Sequence, residues 1–252
     1  MLLAAEKLSK GFGGVLALQP FSFALDRGIT AVIGPNGAGK TTLFNLLSGI
    51  YAPSGGRVLW RGGDITGLGV ARRAGLGIQR TFQNLQIFFS MSAIENVMVG
   101  ATRQLRLGLF PSLLNLPAIR RETEAAREDA VRLLRLMRLD AFLDARADAM
   151  PYGALKRLEI ARSLAAKPQL LLLDEPAAGL NPSETEEIAG LVRAIAEAGT
   201  AVLLVEHDMR LVMALADRII VLDQGHEIAR GCAAELRANP EVIRAYLGAE
   251  TP

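Results

Sequence analysis

The chain has 252 residues, with 28 basic side chains against 26 acidic ones, so its formal net charge is only +2. That balance argues against binding nucleic acid through a general positive field. One cysteine, Cys232, allows neither an intramolecular disulfide nor a multi-cysteine metal centre, and two histidines, His207 and His226, leave little for a histidine-rich one.

Half of the residues are hydrophobic and the mean hydropathy is +0.27, so a membrane span has to be considered. The apolar runs Met1–Ala5, Leu170–Leu173 and Ala201–Val205 meet charged residues far short of the roughly 20 needed to cross a bilayer. Met1–Ala5 is followed at once by Glu6 and Lys7, with no basic leader before it, and does not read as a signal peptide. Hydrophobicity spread over many short segments is the pattern of a soluble α/β protein whose parallel sheet is covered on both faces.

In chain order, the first 28 residues read as antiparallel strands with glycine turns, followed by a strand over Ile29–Ile33 and a helix over Thr41–Ser48. Arg57–Ile65 again reads as antiparallel strand. The region from about 93 to 160 shows no parallel-sheet strand. Within it, Leu107–Pro117 carries prolines and a glycine and predicts a loop or broken helix. Glu122–Arg138 places Ala126, Ala130, Leu133, Leu134 and Met137 on one helical face. Strands Leu170–Leu173, Ala201–Val205 and Arg218–Leu222 alternate with helices Ser183–Glu197 and Met209–Ala216, which predicts right-handed crossovers. The fold class is α/β: a P-loop core with an antiparallel β subdomain and an inserted helical subdomain. The expected division is 1–92 and 160–252 for the core and 93–159 for the helical part. The pairs Arg72-Arg73 and Arg120-Arg121 read as solvated surface.

The first chemical motif is Gly34-Pro35-Asn36-Gly37-Ala38-Gly39-Lys40-Thr41-Thr42, which fits G-x-x-x-x-G-K-[ST] between a strand and a helix. Glycines let backbone N–H groups converge on phosphate oxygens, and the helix N-terminus adds a favourable dipole. Lys40 is a point charge for β- and γ-phosphates, and the Thr41 hydroxyl suits Mg²⁺. The second motif is the apolar strand Leu170–Leu173 ending in Asp174 and Glu175. Asp174 suits the metal's water shell, and Glu175 suits orienting or deprotonating an attacking water. Together the two motifs predict hydrolysis of a nucleoside triphosphate.

With these residues in place the chain resembles, nearly end to end, the ATP-binding cassette family, the nucleotide-binding subunits of ABC transporters. The resemblance implies ATP and Mg²⁺ as cofactors. It puts Gln83, in Arg80-Thr81-Phe82-Gln83-Asn84, at the family's Q-loop position, expected to reach the metal and the attacking water. It makes His207, in Val205-Glu206-His207-Asp208, the switch histidine at the γ-phosphate, and Phe12 the aromatic on adenine. The signature segment, typically Leu-Ser-Gly-Gly-Gln, aligns with Met150-Pro151-Tyr152-Gly153-Ala154. Pro151 removes the usual serine hydroxyl, while Gly153 keeps a close backbone approach to a partner's nucleotide. Ala178-Gly179-Leu180-Asn181 replaces the common Ser-Ala-Leu-Asp.

Pro-Tyr-Gly before Arg-Leu-Glu-Ile-Ala-Arg, and the ending Asn239–Gly248, are similar to one branch, the ATPases of branched-chain amino acid importers. The extra length around 101–121 agrees with that branch. Importers of urea or short amides share much of the wording, so these or another polar solute stay open, and a soluble ABC ATPase outside transport is the remaining alternative. The resemblance implies a second ATPase subunit, with the altered signature favouring a non-identical one, and transmembrane permease subunits. It implies indirectly an external solute-binding protein, and no nucleic acid. The place is the cytoplasmic face of a bacterial or archaeal plasma membrane. Leu85, Ile87, Phe88, Phe89 and Met91, beside Gln83, are the expected docking cluster for the permease.

Overall fold

In the computed structural model residues 1–101, 117–237 and 239–247 are described. The expected break over Leu107–Pro117 lies outside them except for Pro117, as do most of the 101–121 extension, the Arg120 side chain and Gly248.

Two sheets organise the chain. The first is antiparallel, in the order β2-β1-β4-β5, from Leu3–Phe12 (β1), Val15–Leu25 (β2), Gly55–Trp60 (β4) and Gly63–Asp64 (β5). The second has the order β10-β9-β3-β8-β7-β6. It comprises Ile29–Ile33 (β3), Ile78–Arg80 (β6), Leu170–Asp174 (β7), Ala201–Val205 (β8), Arg218–Asp223 (β9) and His226–Gly231 (β10). Its strands pair in parallel except for the antiparallel β9–β10 hairpin. The helices are Lys40–Ser48 (α1), Val70–Gly75 (α2), Ala93–Ala101 (α3), Pro117–Leu136 (α4), Tyr152–Ala165 (α5), Pro182–Glu197 (α6), Met209–Leu215 (α7), Ala233–Arg237 (α8) and Pro240–Leu247 (α9).

The four principal strands stand where the apolar runs placed them. Two of them extend one residue further, to Asp174 and to Asp223. Every residue of β3, β7 and β8 is buried, because helices cover both faces of the sheet. Side chains alternate between the faces: Leu170 and Leu172 join the core around α1 and the antiparallel sheet, whereas Leu171 and Leu173 join the core of α3, α4, α5 and α6. A third cluster, including Ile33, Val212, Val221 and Leu236, packs β3 and β9 against α7 and α8. On α4, Ala126, Ala130 and Leu134 are buried as their spacing predicted. β6 is too short, and α2 too polar, for periodicity to have marked either. No helix among the described residues is long and apolar enough to cross a membrane.

Arg73 departs from the surface reading. It is 1% exposed. Its Nη1 donates to the carbonyls of Leu46 (2.6 Å) and Leu47 (2.9 Å) at the end of α1. Its Nε and Nη2 donate to Leu68 and Thr66, so one guanidinium satisfies carbonyls that helix and turn leave over. Burial lowers its pKa, partly offset by Asp64. Arg121 is exposed, as expected. Replacing Arg73 by Met strands these buried acceptors. Urea unfolding of Arg73→Met should show a loss on the order of 2–4 kcal/mol, and an unchanged midpoint would refute the role.

Candidate active site

The carboxyl ends of β3, β7 and β8 bring the expected residues to one edge of the parallel sheet. After β3 the chain turns through Gly34, with φ of 151°, close against the neighbouring strand end: a Cβ there would lie 2.0 Å from the Leu222 carbonyl oxygen. Gly39, at φ 98°, opens α1, and a Cβ on it would meet the Ala17 oxygen at 2.6 Å. Gly37, also at positive φ, faces open space. The loop is therefore pinned on one side and open on the other, the shape backbone amides need to face an anion. Lys40 is buried and its Nζ donates to Gly34 O (2.7 Å) and Pro35 O (2.9 Å), which spans the loop. Burial lowers its pKa, opposed by the charges of Glu175 and Asp174. Asn36 and Thr41 are exposed, Ala38 buried, Thr42 half-buried.

Glu175 follows β7 in a left-handed conformation, φ 49°, that a non-glycine residue adopts at a cost of about 1–3 kcal/mol. Gln83 Nε2 donates to its Oε2 at 3.1 Å, and His207 Nδ1 lies 3.9 Å from its Oε1. Residues distant in sequence thus converge on one carboxylate. Asp174 directs Oδ2 to Arg80 at 2.7 Å.

Three oxygens are of the kind a hard divalent cation takes. The Thr41 hydroxyl, Asp174 Oδ1 and the Gln83 side-chain carbonyl have no hydrogen-bond partner among the described residues. No cluster of three His, Cys, Asp or Glu occurs there either. A cation held by one carboxylate, a hydroxyl and phosphate oxygens is the arrangement Mg²⁺ prefers over an all-protein cage.

Phe12 is half-exposed and packs edge-to-face on Tyr51, with ring centroids 5.3 Å apart. Lys10 Nζ stands 5.0 Å from the Phe12 centroid and donates to Ala52 O. The signature residues sit elsewhere. Pro151 precedes α5 without a side-chain cap, Tyr152 is exposed, and Gly153 packs so closely on Glu184 that a Cβ would meet its Oε1 at 2.5 Å. Asn181 and Glu184 form a reciprocal capping box on α6, a role that the more common aspartate would fill equally well.

Four buried charged residues escaped the sequence reading, because nothing local in their motifs distinguishes them from surface charges. Arg80 is the partner of Asp174. Lys156, in the first turns of α5, lies with Nζ 3.4 Å from the Glu175 carbonyl. Glu159 Oε1 accepts from the Gln86 amide at 3.3 Å and the Phe82 amide at 3.5 Å, bracketing Gln83. Glu206 accepts from the Ala177 amide at 2.9 Å and the His207 amide at 3.2 Å. Burial raises the pKa of both glutamates.

A phosphate loop, an acidic strand end and a convergent glutamine and histidine define a nucleoside-triphosphate hydrolase of the P-loop class. The family model for "ABC transporter" matches residues 18–178, and a second, "Branched-chain amino acid ATP-binding cassette transporter", matches 227–251. The chain belongs to the ATP-binding cassette family of ABC transporters, and it is an ATP-hydrolysing subunit. It is 46% identical over 249 residues to the high-affinity branched-chain amino acid transport ATP-binding protein LivG of Salmonella typhimurium, covering 98% of each chain. It is 43% identical to BraF of Pseudomonas aeruginosa, covering 98% of each. A nucleotide-free ATP-binding cassette from an ABC transporter superimposes with a TM-score of 0.84 at 31% identity, over 97% of this chain and 98% of that one. A cassette in its ADP conformation gives 0.85 at 31% identity, over 98% of each.

A glutamate whose folded pKa is raised makes the fold less stable as pH climbs above the unperturbed 4.5, because the native state holds the proton longer than the unfolded chain. The stability difference between Glu206→Gln and the parent should therefore shift in the variant's favour as pH rises from about 4.5 towards neutrality. Denaturant titrations at several pH values check this, and a difference independent of pH would contradict it.

Proposed function

We propose that this chain binds ATP with Mg²⁺ and hydrolyses it to drive import of branched-chain amino acids, seated on the cytoplasmic side of transmembrane permease subunits. The observation that carries the hydrolytic part is the convergence of Gln83 and His207 on Glu175, beside the pinned loop that presents Lys40. The names of its relatives and the match over 227–251 support the solute.

In this reading the amides of residues 34–42 and Lys40 hold the β- and γ-phosphates. Thr41, Asp174 and Gln83 would hold Mg²⁺, which when bound neutralises charge on the phosphate oxygens. Glu175 accepts the proton of the attacking water as oxygen attacks phosphorus and the bond to the β-phosphate oxygen breaks. Gln83 orients the glutamate and the water. His207 donates towards the γ-phosphate oxygens, where charge develops. Phe12 offers its face to adenine. Pro151, Tyr152 and Gly153 close the nucleotide of a second ATPase subunit, and Pro151, lacking both hydroxyl and N–H, favours a non-identical one. The helical part, 93–159, acts as a subdomain against the core of 1–92 and 160–252.

The permease docks beside Gln83. Of the expected cluster, Phe88 and Phe89 are exposed, whereas Ile87 is buried in the core with Leu85 packed against it; a groove of about 470 Å³ opens between the Q-loop, α3 and α5, lined by Phe82, Leu85, Phe88, Val99 and Arg162. A short helix fits such a groove, and its movement reaches Gln83 through one loop.

Two variants test the reading. Glu175→Gln should keep ATP affinity and lower turnover by about 10²–10⁴-fold; normal turnover would remove Glu175 as the base. In the assembled complex, reconstituted with leucine or urea as solute, Phe89→Asp should leave nucleotide binding intact while separating hydrolysis from leucine uptake. Uptake of urea but not leucine by the parent complex would overturn the solute assignment, and unimpaired coupling in Phe89→Asp would overturn the docking surface.

A further inference from the structure

Arg80 is the residue whose contacts the reaction scheme leaves unexplained. It ends β6, three positions before Gln83, and its side chain is 7% exposed. Its Nη2 donates to Asp174 Oδ2 at 2.7 Å, and its Nη1 donates to Asn45 Oδ1 at 2.6 Å and Ser48 Oγ at 3.1 Å. The guanidinium stands over the rings of Phe44, 5.5 Å away, and Phe82, 5.2 Å away. One planar fork therefore joins the phosphate-loop helix, the acidic strand end and the root of the Q-loop. Its Nε is buried with no partner among the described residues. A surface pair would gain little from such an arrangement. A buried one with only one charge partner carries a desolvation cost that stability alone does not explain.

We propose that Arg80 is a positioning residue for the metal. It occupies Asp174 Oδ2 and so fixes the plane of the carboxylate, leaving Oδ1 directed to the cation. Because Arg80 lies on the strand that leads into the Q-loop, displacement of that loop shifts the fork and with it the carboxylate. The proposal rests on the reading of Asp174 as the metal's carboxylate. Partners behind metal ligands typically change metal affinity by about 10–100-fold when altered. Lysine in place of arginine keeps the charge but cannot reach Asp174, Asn45 and Ser48 together.

The test uses the full chain and a fluorescent ATP analogue, measuring affinity in excess chelator and the Mg²⁺ concentration at half-maximal enhancement of binding. Arg80→Lys should keep the metal-free affinity within about 2-fold while raising the Mg²⁺ midpoint about 10-fold. Equal loss with and without metal would mark a purely structural residue and overturn the proposal. Asp174→Asn is the reference. If it leaves the midpoint unchanged, the metal reading of Asp174 fails; if it raises the midpoint while Arg80→Lys does not, only the positioning role fails. Should Arg80→Lys not fold, Asn45→Ala with Ser48→Ala removes the fork's other anchors, and a midpoint unchanged in that variant counts against the proposal.

Discussion

The close approach of the phosphate loop to the strand beside it is the constraint on which the site depends. At Gly34 there is no room for even a methyl group against the Leu222 carbonyl, and at Gly39 the Ala17 carbonyl is nearly as close. Hydrogen bonds hold the pinned side further: Gly225 N donates to Ala38 O, and Lys40 reaches back to the carbonyls of Gly34 and Pro35. A backbone fixed in this way pays its ordering entropy on folding, not on binding, which is what a preorganised anion site requires. The antiparallel sheet participates directly, because Ala17 belongs to β2.

The second principle is the use of buried charge at joints. Arg73 closes the end of α1, Arg80 joins α1 to the acidic strand, Lys156 touches the turn at Glu175, and Glu159 and Glu206 each accept two loop amides. Hydrogen bonds to desolvated charges fix these loops together with the apolar anchors Leu85, Ile87 and Ala177. The arrangement makes the Q-loop, the acidic strand end and the signature helix parts of one polar network. On the proposed docking, movement at the groove between α3 and α5 would be passed to the phosphate site through Glu159, Phe82 and Arg80.

Much of the fold was legible because its strongest signals are local. Leu170–Leu173 and Ala201–Val205 are short, unbroken apolar runs that suit strands covered on both faces, and both stand where expected. The phosphate loop was legible because glycine, lysine and threonine at those offsets have a mechanism. Gln83 and His207 were found only through family resemblance, since a lone glutamine or histidine carries no signal of its own. Arg73 was misread because a paired arginine on a short polar helix looks the same in sequence whether it faces water or four carbonyls.

Sequence by itself determined the strand positions, the phosphate loop, the acidic strand end and the family, since each is written in residues adjacent along the chain. Only the tertiary structure decided that Glu175 receives Gln83 and His207, that Tyr51 backs Phe12, and that Arg80 grips Asp174. Those pairs lie 92, 94 or more than 30 residues apart or are joined across separate elements. Their meeting depends on strand order and helix packing, properties of the assembled core that no local stretch of sequence encodes.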